Sequence, residues 1–541
     1  MAPMRDVFHK LQRTFGGRQR RLVGTLAVIT VFLLSACAAP AVVEVEVEVE
    51  VPASGRLNVD YQGTLEVFIS GYDLTEALTE AQKAAGVKGN EGLEALIAEW
   101  EAMNPGIDIV PVAGPVGPAG QDPFQWFVNT QVPAGQGPDI FFYYGHTLYN
   151  GAAGDKGLMV PLDAYLLQPN PYVPEGEPGS EQWIDIFENG FSGAIAQERS
   201  PAGHYYGIPV DAAPITIWYN KTVLDELGLE FPFPNYYSDL VALLEQLHAA
   251  GYEKPIVGQL GPATQWDNII FDHSLLEPVG MVEWDVLDYK PSLVKGFIDK
   301  EEFARAVHLG LFDATGAEFR EILRLGKMWA PYFTEEWKVN GRPGPEEFIS
   351  GNAPVFLSGM WMAQNFLTNP EVDFEVGVAT NPLIGPKESD LADPNPYPGV
   401  AGVGMTFNVH WQTVERGTMN AAIDFLQFIS APQNWRKAHE SKLGAISILK
   451  GLEPTLPEDL AAAVQGAIPT SQMAFDISGT STDFTQQTER QTIYTEFYLG
   501  EITLDEAAER FQQSLLDWVE RELEQNDMER NPGGTWDLSK W

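Results

Sequence analysis

The chain has 541 residues, of which 75 are acidic and 33 are basic, so its formal net charge at pH 7 is −42. This excess of negative charge argues against a nucleic-acid-binding protein, which needs a basic surface, and against an anionic ligand or lipid surface held by general attraction. It is typical of a protein that stays soluble outside the cell. The hydrophobic content (44%) is enough for a core, and the length of the chain implies two or more domains or lobes.

Residues 1–36 are typical of a signal peptide. Six basic residues and one acidic residue precede an uncharged run at residues 22–36, which is shorter than the roughly 20 apolar residues of a membrane span. The run leads into LSAC (34–37), which resembles the lipobox of bacterial lipoproteins. This resemblance implies cleavage before Cys37 and a lipid on that residue, so we expect the protein in the cell envelope, anchored on the extracytoplasmic side of a membrane. A twin-arginine export signal at Arg20–Arg21 is the alternative interpretation of the leader.

The segment at residues 37–59 is predicted to be an acidic tether. It contains VVEVEVEVEV (42–51), in which four glutamates on one face of an extended chain repel one another. An isolated strand of this kind is only marginally stable. An extended spacer between the lipidated cysteine and the folded part is therefore expected, and an edge strand of a sheet is the alternative.

Residues 64–112 predict a β-α-β unit. Alternating apolar positions in TLEVFIS (64–70) predict a strand, and apolar positions at helical spacing in EGLEALIAEWEAM (91–103) predict a helix that ends before Asn-Pro-Gly. IDIVPV (107–112) predicts the next strand, which we expect to be parallel to the first with a right-handed crossover. PDIFFYY (138–144) is nearly continuous in apolar residues and predicts a strand buried on both faces.

Two strongly amphipathic helices are predicted nearer the C-terminal end, at NAAIDFLQFISAPQNW (420–435) and ITLDEAAERFQQSLLDWVERELEQ (502–525). Trp100 and Trp435 stand on helix faces and are expected in the core. Residues 168–181 are rich in proline, glycine and polar groups and are expected to form a loop.

The most specific signal is YYGIPVDAAPITIWYNKTVLDELGLEFP (205–232). GIP (207–209) and WYNK (218–221) within it resemble the strands that cross between two lobes in the extracellular solute-binding proteins of ATP-driven importers. The resemblance is to the family that includes the maltose-binding protein and other sugar binders. Six further stretches resemble elements of that family in the same order: EWEAMNPGIDIVPV, GPDIFFYYG, GLMVPLDAYL, GNAPVFLSGMWM, GVAGVGMTFNVH and AAIDFLQFISAPQNW.

The resemblance implies an α/β protein with the type II periplasmic-binding fold, in which a hinge joins two α/β lobes around a central ligand cleft. The N-terminal lobe is expected to hold residues 60–213 with 405–450, and the C-terminal lobe residues 214–404 with 451–541. Such lobes close on a ligand that makes additional contacts in the closed form.

Aromatic platforms are expected in the cleft, because a sugar ring presents an apolar C–H face. Trp361 stands where the family's Gly-x-Trp element places a stacking tryptophan. The resemblance also points to Trp266, to Tyr143 and Tyr144 at the end of a predicted strand, and to Phe475. Ordinary core packing is the alternative for each of them.

Polar groups are expected to bind the hydroxyl edge of the sugar. Tyr72 and Asp73 follow the first predicted strand, where the family has its first ligand loop, although an extra segment follows them here. The family often has a carboxylate at the position of Ala213, and Asp211 either substitutes for it or has a structural role. Gly402 brings a backbone N–H to the ligand or simply belongs to a glycine-rich strand.

These observations predict the solute-binding component of an ABC importer, which captures a carbohydrate, in particular an oligosaccharide, and delivers it to the transmembrane permease subunits. We expect a monomer without cofactor, metal or catalytic activity. The sequence holds no G-x-x-x-x-G-K-S/T, H-E-x-x-H or G-x-S-x-G motif. A binding protein for a non-sugar solute such as a peptide or polyamine is the main alternative, and a secreted glycoside hydrolase, with two catalytic carboxylates, is the other.

Overall fold

The computed structural model describes residues 55–541 with the exception of several short segments. The residues that it does not describe within that range are 70, 81–82, 84–87, 115–125, 145–151, 189, 191–194, 196–198, 201, 213, 259, 261–265, 294, 297, 340–343, 397, 399–404 and 465–483. The leader, Cys37 and the valine–glutamate repeat lie outside the described residues, so the signal peptide, the lipid anchor and the tether stay predictions.

A five-stranded sheet forms the first lobe, in the spatial order β2-β1-β3-β9-β4. Its strands are β1 (Gly63–Phe68), β2 (Ile107–Pro111), β3 (Ile140–Tyr144), β4 (Gly207–Pro209) and β9 (Met405–Val409). β1 is parallel to both β2 and β3, whereas β9 is antiparallel to both of its neighbours, β3 and β4. A strand from late in the chain therefore lies between two early ones.

A four-stranded sheet forms the second lobe, in the order β6-β7-β5-β8. Its strands are β5 (Ile215–Asn220), β6 (Ile256–Val257), β7 (Val355–Gly359) and β8 (Val376–Thr380). β5 is antiparallel to β7 and β8, and β6 is parallel to β7. The two sheets are thus built from different parts of the chain, and the lobe boundaries given above stay a prediction.

Helices surround both sheets. The α-helices among the described residues are α1 (Glu91–Met103), α2 (Ala152–Gly154), α3 (Asp163–Leu166), α4 (Lys221–Leu227), α5 (Tyr237–Ala249), α6 (Trp266–Leu275), α7 (Glu277–Glu283), α8 (Lys300–His308), α9 (Ala317–Trp329), α10 (Glu346–Ile349), α11 (Ala363–Leu367), α12 (Thr413–Arg416), α13 (Met419–Ser430), α14 (Pro432–Glu440), α15 (Glu458–Ala463), α16 (Phe484–Leu499) and α17 (Leu504–Asn526). None of the helices in this part of the chain is long and apolar enough to cross a membrane.

The predicted β-α-β unit is confirmed. β1 and β2 pair in parallel, with Leu65 opposite Ile109, and α1 connects them. The side chain of Asn90 accepts a hydrogen bond from the backbone N–H of Leu93 and so caps the first turn of α1. The predicted loop at residues 168–181 contains turns and bends without a helix or strand.

The single helix predicted for residues 420–435 is wrong, because two helices occupy that stretch. α13 ends at Ser430 and α14 begins at Pro432. Ala431 between them has a ψ of 122°, outside the helical region, because the proline ring disfavours a helical conformation of the preceding residue. Proline is well suited to the first turn of the new helix.

Trp100 and Trp435 are fully buried, as predicted. They belong to a core cluster around the first sheet, and this cluster also contains Trp218, Phe356 and Val378 of the second sheet. A second cluster lies between the other face of the second sheet and the helices that cover it. Apolar packing is therefore continuous from the first sheet to one face of the second.

Candidate functional site

Two segments of the chain cross between the lobes, and they pair with each other. Residues 210–214 connect β4 in the first sheet to β5 in the second. Residues 441–456 lead from α14, which packs on α1, to α15, which packs on β8. The backbone N–H of Ala212 donates to the carbonyl oxygen of Ile446 at 2.7 Å, and the hydroxyl of Ser447 donates to the carbonyl oxygen of Val210 at 3.0 Å. The segments thus form a short two-stranded connection between the lobes.

Asp211 lies on this connection and forms an ion pair. Lys442 Nζ donates to Asp211 Oδ2 at 3.1 Å, and the two side chains are only 15% and 8% exposed. The same ammonium group lies 4.0 Å from the centroid of the Tyr72 ring, which is a close cation–π distance. A carboxylate, an ammonium group and an aromatic face therefore meet where the chain passes from one lobe to the other.

Tyr72 and Asp73, from the first predicted ligand loop, contribute to this group of residues. The Tyr72 ring is 1% exposed and packs against Trp435, with ring centroids 4.8 Å apart. Burial, and then the charge of Asp211, raise the pKa of the Tyr72 hydroxyl well above its ordinary value. Burial also raises the pKa of the Asp73 carboxyl, and the positive charge of Lys442 opposes that rise. The structure thus brings two of the predicted polar residues, Asp211 and Tyr72, together around Lys442, and Asp73 follows Tyr72 in the chain.

Trp361 follows β7 in a single turn of 3₁₀ helix at Met360–Met362. Its side chain is 41% exposed, whereas Met360 and Met362 on either side of it are buried. The indole lies over the backbone of Gly359, since a Cβ atom placed there would be 2.0 Å from Trp361 Cζ3. The glycine of the Gly-x-Trp element is therefore required for the ring to approach the strand end this closely.

The turn that carries Trp361 contacts both crossing segments. The backbone N–H of Met360 donates to the carbonyl oxygen of Pro214 at 3.1 Å. Gly444 has a φ of +76°, and a Cβ atom there would be 2.4 Å from Ala363 Cβ and 2.7 Å from the carbonyl oxygen of Met360. The backbone at Gly444 is thus pressed against the residues that flank Trp361. The exposed indole and the Asp211–Lys442 pair therefore belong to one connected part of the structure, at the junction of the lobes.

The remaining predicted site residues are not tested. Trp266 is the first residue of α6, and Tyr143 and Tyr144 end β3 opposite Thr406 and Met405, but their side chains are outside the described set. Gly402 and Phe475 lie wholly outside the described residues. All five stay predictions as ligand contacts, as do Tyr72, Asp73, Asp211 and Trp361.

Lys442 was not predicted from the sequence. It stands in a polar stretch after α14, and no local pattern distinguishes it from the other lysines of the chain. Its partner Asp211 is 231 positions away. Only the paired crossing segments bring the two side chains together. Within the described residues, no group of three or more His, Cys, Asp or Glu side chains is arranged to hold a metal ion.

Two α/β lobes joined by paired crossing segments, with an exposed tryptophan at their junction, define the class of two-lobed solute-binding proteins. The sequence profile described as "Bacterial extracellular solute-binding protein" matches residues 84–434. The chain belongs to this family.

Comparison with individual proteins agrees with that assignment. The chain is 24% identical over 335 residues to the maltotriose-binding protein of Pyrococcus abyssi, a match that covers 61% of this chain and 60% of that relative's length. The structure of RafE from Streptococcus pneumoniae is similar with a TM-score of 0.53 at 15% identity, covering 85% of this chain and 98% of that one. RafE in complex with raffinose gives 0.54 at 14% identity, covering 84% and 99%. These structures confirm the predicted type II periplasmic-binding fold.

Proposed function

We propose that this protein is the solute-binding component of an ABC importer and that it captures an oligosaccharide between its lobes. The observation that carries the proposal is the position of Trp361. Its partly exposed indole lies against Gly359 at the lobe junction, beside segments that carry the Asp211–Lys442 pair. A sugar ring needs an aromatic surface for its C–H face and charged or polar groups for its hydroxyl edge. Trp361 supplies the first, and the residues around Lys442 supply the second.

The relatives support a carbohydrate over the alternatives. One is named for the binding of maltotriose, and the solved structure of the other contains raffinose. Both ligands are neutral oligosaccharides. The match to the Pyrococcus protein spans 60% of that relative's length, and the extension of its ligand class to this chain is part of the proposal.

Capture is proposed to proceed by closure of the lobes about the connection at residues 210–214 and 441–456. A ligand shifts the equilibrium toward the closed form only by the contacts it gains there. Trp266, Tyr143, Tyr144, Phe475 and Gly402 are proposed to supply further contacts from both lobes.

The closed protein would then present the sugar, chemically unchanged, to the permease subunits in the membrane. Cys37 is proposed to carry the lipid that holds the protein on the extracytoplasmic side of that membrane, as a monomer. Neither the capture of the sugar nor its delivery to the permease requires catalysis.

A thermal-shift screen of the purified full-length chain tests the proposal. The panel holds maltotriose, raffinose and other mono- and oligosaccharides, with amino acids, short peptides and polyamines for comparison. A ligand at about 100 times its Kd stabilises a fold by about 2.7 kcal/mol, which a melting curve detects. We expect a shift with one carbohydrate class, lost in Trp361→Ala but kept in Phe233→Ala, which truncates an aromatic side chain that is 85% exposed elsewhere.

Two results would contradict the proposal. Stabilisation by peptides or polyamines alone would exclude the carbohydrate and leave the fold assignment intact. Hydrolysis of a glycan on the panel would exclude a purely binding role.

A further inference from the structure

The charged residues at the lobe junction bear on which ligand charge the site accepts. A chain with a net charge of −42 attracts cations in general. Selection against a cationic ligand therefore has to come from charges inside the site. The described residues at the junction include the carboxylate of Asp211 and the ammonium group of Lys442, with Nζ 3.1 Å from Oδ2.

Lys442 occupies the place that a cationic ligand group would take. Its Nζ atom is 3.1 Å from Asp211 Oδ2 and 4.0 Å from the centroid of the Tyr72 ring. A carboxylate and an aromatic face together are the surroundings that a ligand ammonium group prefers. In this chain the protein's own ammonium group fills that position, with both members of the ion pair largely buried.

The pair is fixed by the backbone on both sides. Asp211 is held opposite Ser447 in the two-stranded connection. The hydroxyl of Thr455 donates a hydrogen bond to the carbonyl oxygen of Lys442. The oxygen of the same hydroxyl accepts a hydrogen bond from the N–H of Ala445 at 2.8 Å. The backbone of both members of the pair is therefore held in place, and the ammonium group itself is held by its contact with Asp211 and by burial.

We propose that Lys442 determines the charge specificity of the cleft: by neutralising Asp211 it makes the site accept a neutral, hydroxylated ligand and reject a cationic one. The inference rests on the proposed function, because it places Asp211 in the ligand cleft. Lys442 acts through Asp211 and Tyr72 as a specificity-determining residue. Its removal opens a negatively charged site to amines.

The test compares two ligands that share one sugar backbone and differ in the acetylation, and therefore the charge, of their amino groups. Tri-N-acetylchitotriose is neutral, whereas chitotriose carries free amines on the same backbone. Maltotriose and raffinose are added as neutral probes and spermidine as a cationic one. Calorimetry on the full-length chain gives the ratio of neutral to cationic affinity for the wild type, Lys442→Met and Lys437→Met. Lys437 is the matched control. It lies on α14, just before Lys442 in the chain, and forms an exposed ion pair with Glu99 of α1.

We expect the wild type to bind a neutral probe at least tenfold more tightly than either cationic probe. Lys442→Met is expected to lose at least tenfold in neutral affinity and to gain at least tenfold in cationic affinity. Lys437→Met is expected to stay within twofold of the wild type on both. Equal behaviour of the two variants, or a wild type that binds spermidine as tightly as a sugar, would overturn the inference.

A double variant covers the case in which Lys442→Met does not fold. Asp211→Asn with Lys442→Met removes both charges, so it is expected to fold and to keep the preference for the neutral probe. Tighter binding of chitotriose by this double variant would overturn the inference. Failure of the proposed function has a different signature: a wild type that binds a neutral peptide and no sugar. The charge comparison is then made with that peptide and its lysine-containing analogue.

Discussion

Asp424 accepts two hydrogen bonds from Arg56, at 3.1 Å from Nε and 2.8 Å from Nη2, although the two residues are 368 positions apart. Trp100 Nε1 and the Tyr172 hydroxyl donate to the same carboxylate, at 2.9 and 2.8 Å. Asp424 is fully buried on α13. The hydrogen bond to Asp424 raises the pKa of Arg56. This arrangement anchors Arg56, near the start of the described chain, to the first lobe. Arg56 lies within residues 37–59, the range predicted for the tether.

Arg56→Met is expected to destabilise the protein by about 2–4 kcal/mol, because it leaves a buried carboxylate without its counter-charge. Urea unfolding of the variant and the wild type measures the difference. Arg436→Met is the control, since Arg436 and Glu440 form an exposed pair with an N···O distance of 3.8 Å, and such pairs contribute less than about 1 kcal/mol. Equal losses in the two variants would show that Arg56 is not an anchor.

Gly359→Ala is expected to weaken ligand binding at least tenfold with little loss of stability. The new Cβ atom would lie 2.0 Å from Trp361 Cζ3, so the indole has to leave the strand end. The φ of Gly359 is −99°, which alanine adopts without strain. Calorimetry with whichever sugar the screen identifies measures the affinity, and a melting curve measures the stability.

Gly533→Ala is the control for that substitution, because its Cβ atom would meet only Asn531 Oδ1, at 3.7 Å, and its φ is not positive. Unchanged affinity in Gly359→Ala would show that the orientation of the indole on the strand end does not matter for binding.

The start of α8 is expected to make stability fall as the pH rises. Asp299 and the buried Glu302 form a capping box there. Burial, and then the charge of Asp299, raise the pKa of Glu302 to about 8, and burial raises that of Asp299 to about 6. Asp285 and Glu301 add negative charge near this pair, whereas Lys290 lowers the pKa of Asp299. Because the folded pKa values lie above the unfolded ones, the folded state holds more protons between about pH 4 and pH 8. The contribution is therefore greatest at low pH and is lost as the pH rises through that window.

Glu302→Gln tests this sign, since an amide keeps the shape of the side chain and does not titrate. Its unfolding free energy relative to the wild type is expected to increase by at least about 1 kcal/mol between pH 5 and pH 8. Glu506→Gln is the matched control, because Glu506 completes an exposed capping box with Thr503 and its pKa is lowered. A parallel pH dependence of both variants would contradict the prediction.

His410 is expected to stay neutral well into the acid range. Burial, and then the charge of Arg416, lower its pKa to about 3. The backbone N–H of Gln412 donates to Nδ1 at 3.1 Å, which places the ring proton on Nε2. Because the folded pKa lies below the unfolded one, the stability from this residue is complete above about pH 6.5 and is lost as the pH falls toward 3. Ring nitrogen shifts in NMR spectra should not change between pH 8 and pH 5, and a titration midpoint in that range would contradict the prediction.

Local sequence patterns predicted the helices and strands well, because the formation of a helix or strand depends on residues that are neighbours in the chain. The periodicity of α1 and the alternation in β1 were sufficient to place both elements. The helix break at Pro432 was missed because the apolar spacing runs through it, although the constraint that proline places on Ala431 is itself local.

Contacts between distant segments could not be predicted in the same way. Trp361 was predicted as a ligand contact from the resemblance of a short Gly-x-Trp motif, and the glycine of that motif has a local reason, the close approach of the indole to Gly359. Lys442 has no such motif, because its role depends on the pairing of two segments far apart in the chain. The anchor between Arg56 and Asp424 escaped prediction for the same reason.

The position of β9 between β3 and β4 also sets an order in which the two sheets can be completed. The second sheet is built from one continuous stretch and has all its strands once Thr380 has been made. The first sheet still lacks an inner strand until Val409 follows, although its other four strands come earlier in the chain. The sheet that begins first therefore receives its last strand after the other sheet is complete. During synthesis the early strands have an unfilled gap, and since long-range pairing forms slowly, we expect the strands of the second sheet to pair before the first sheet is complete.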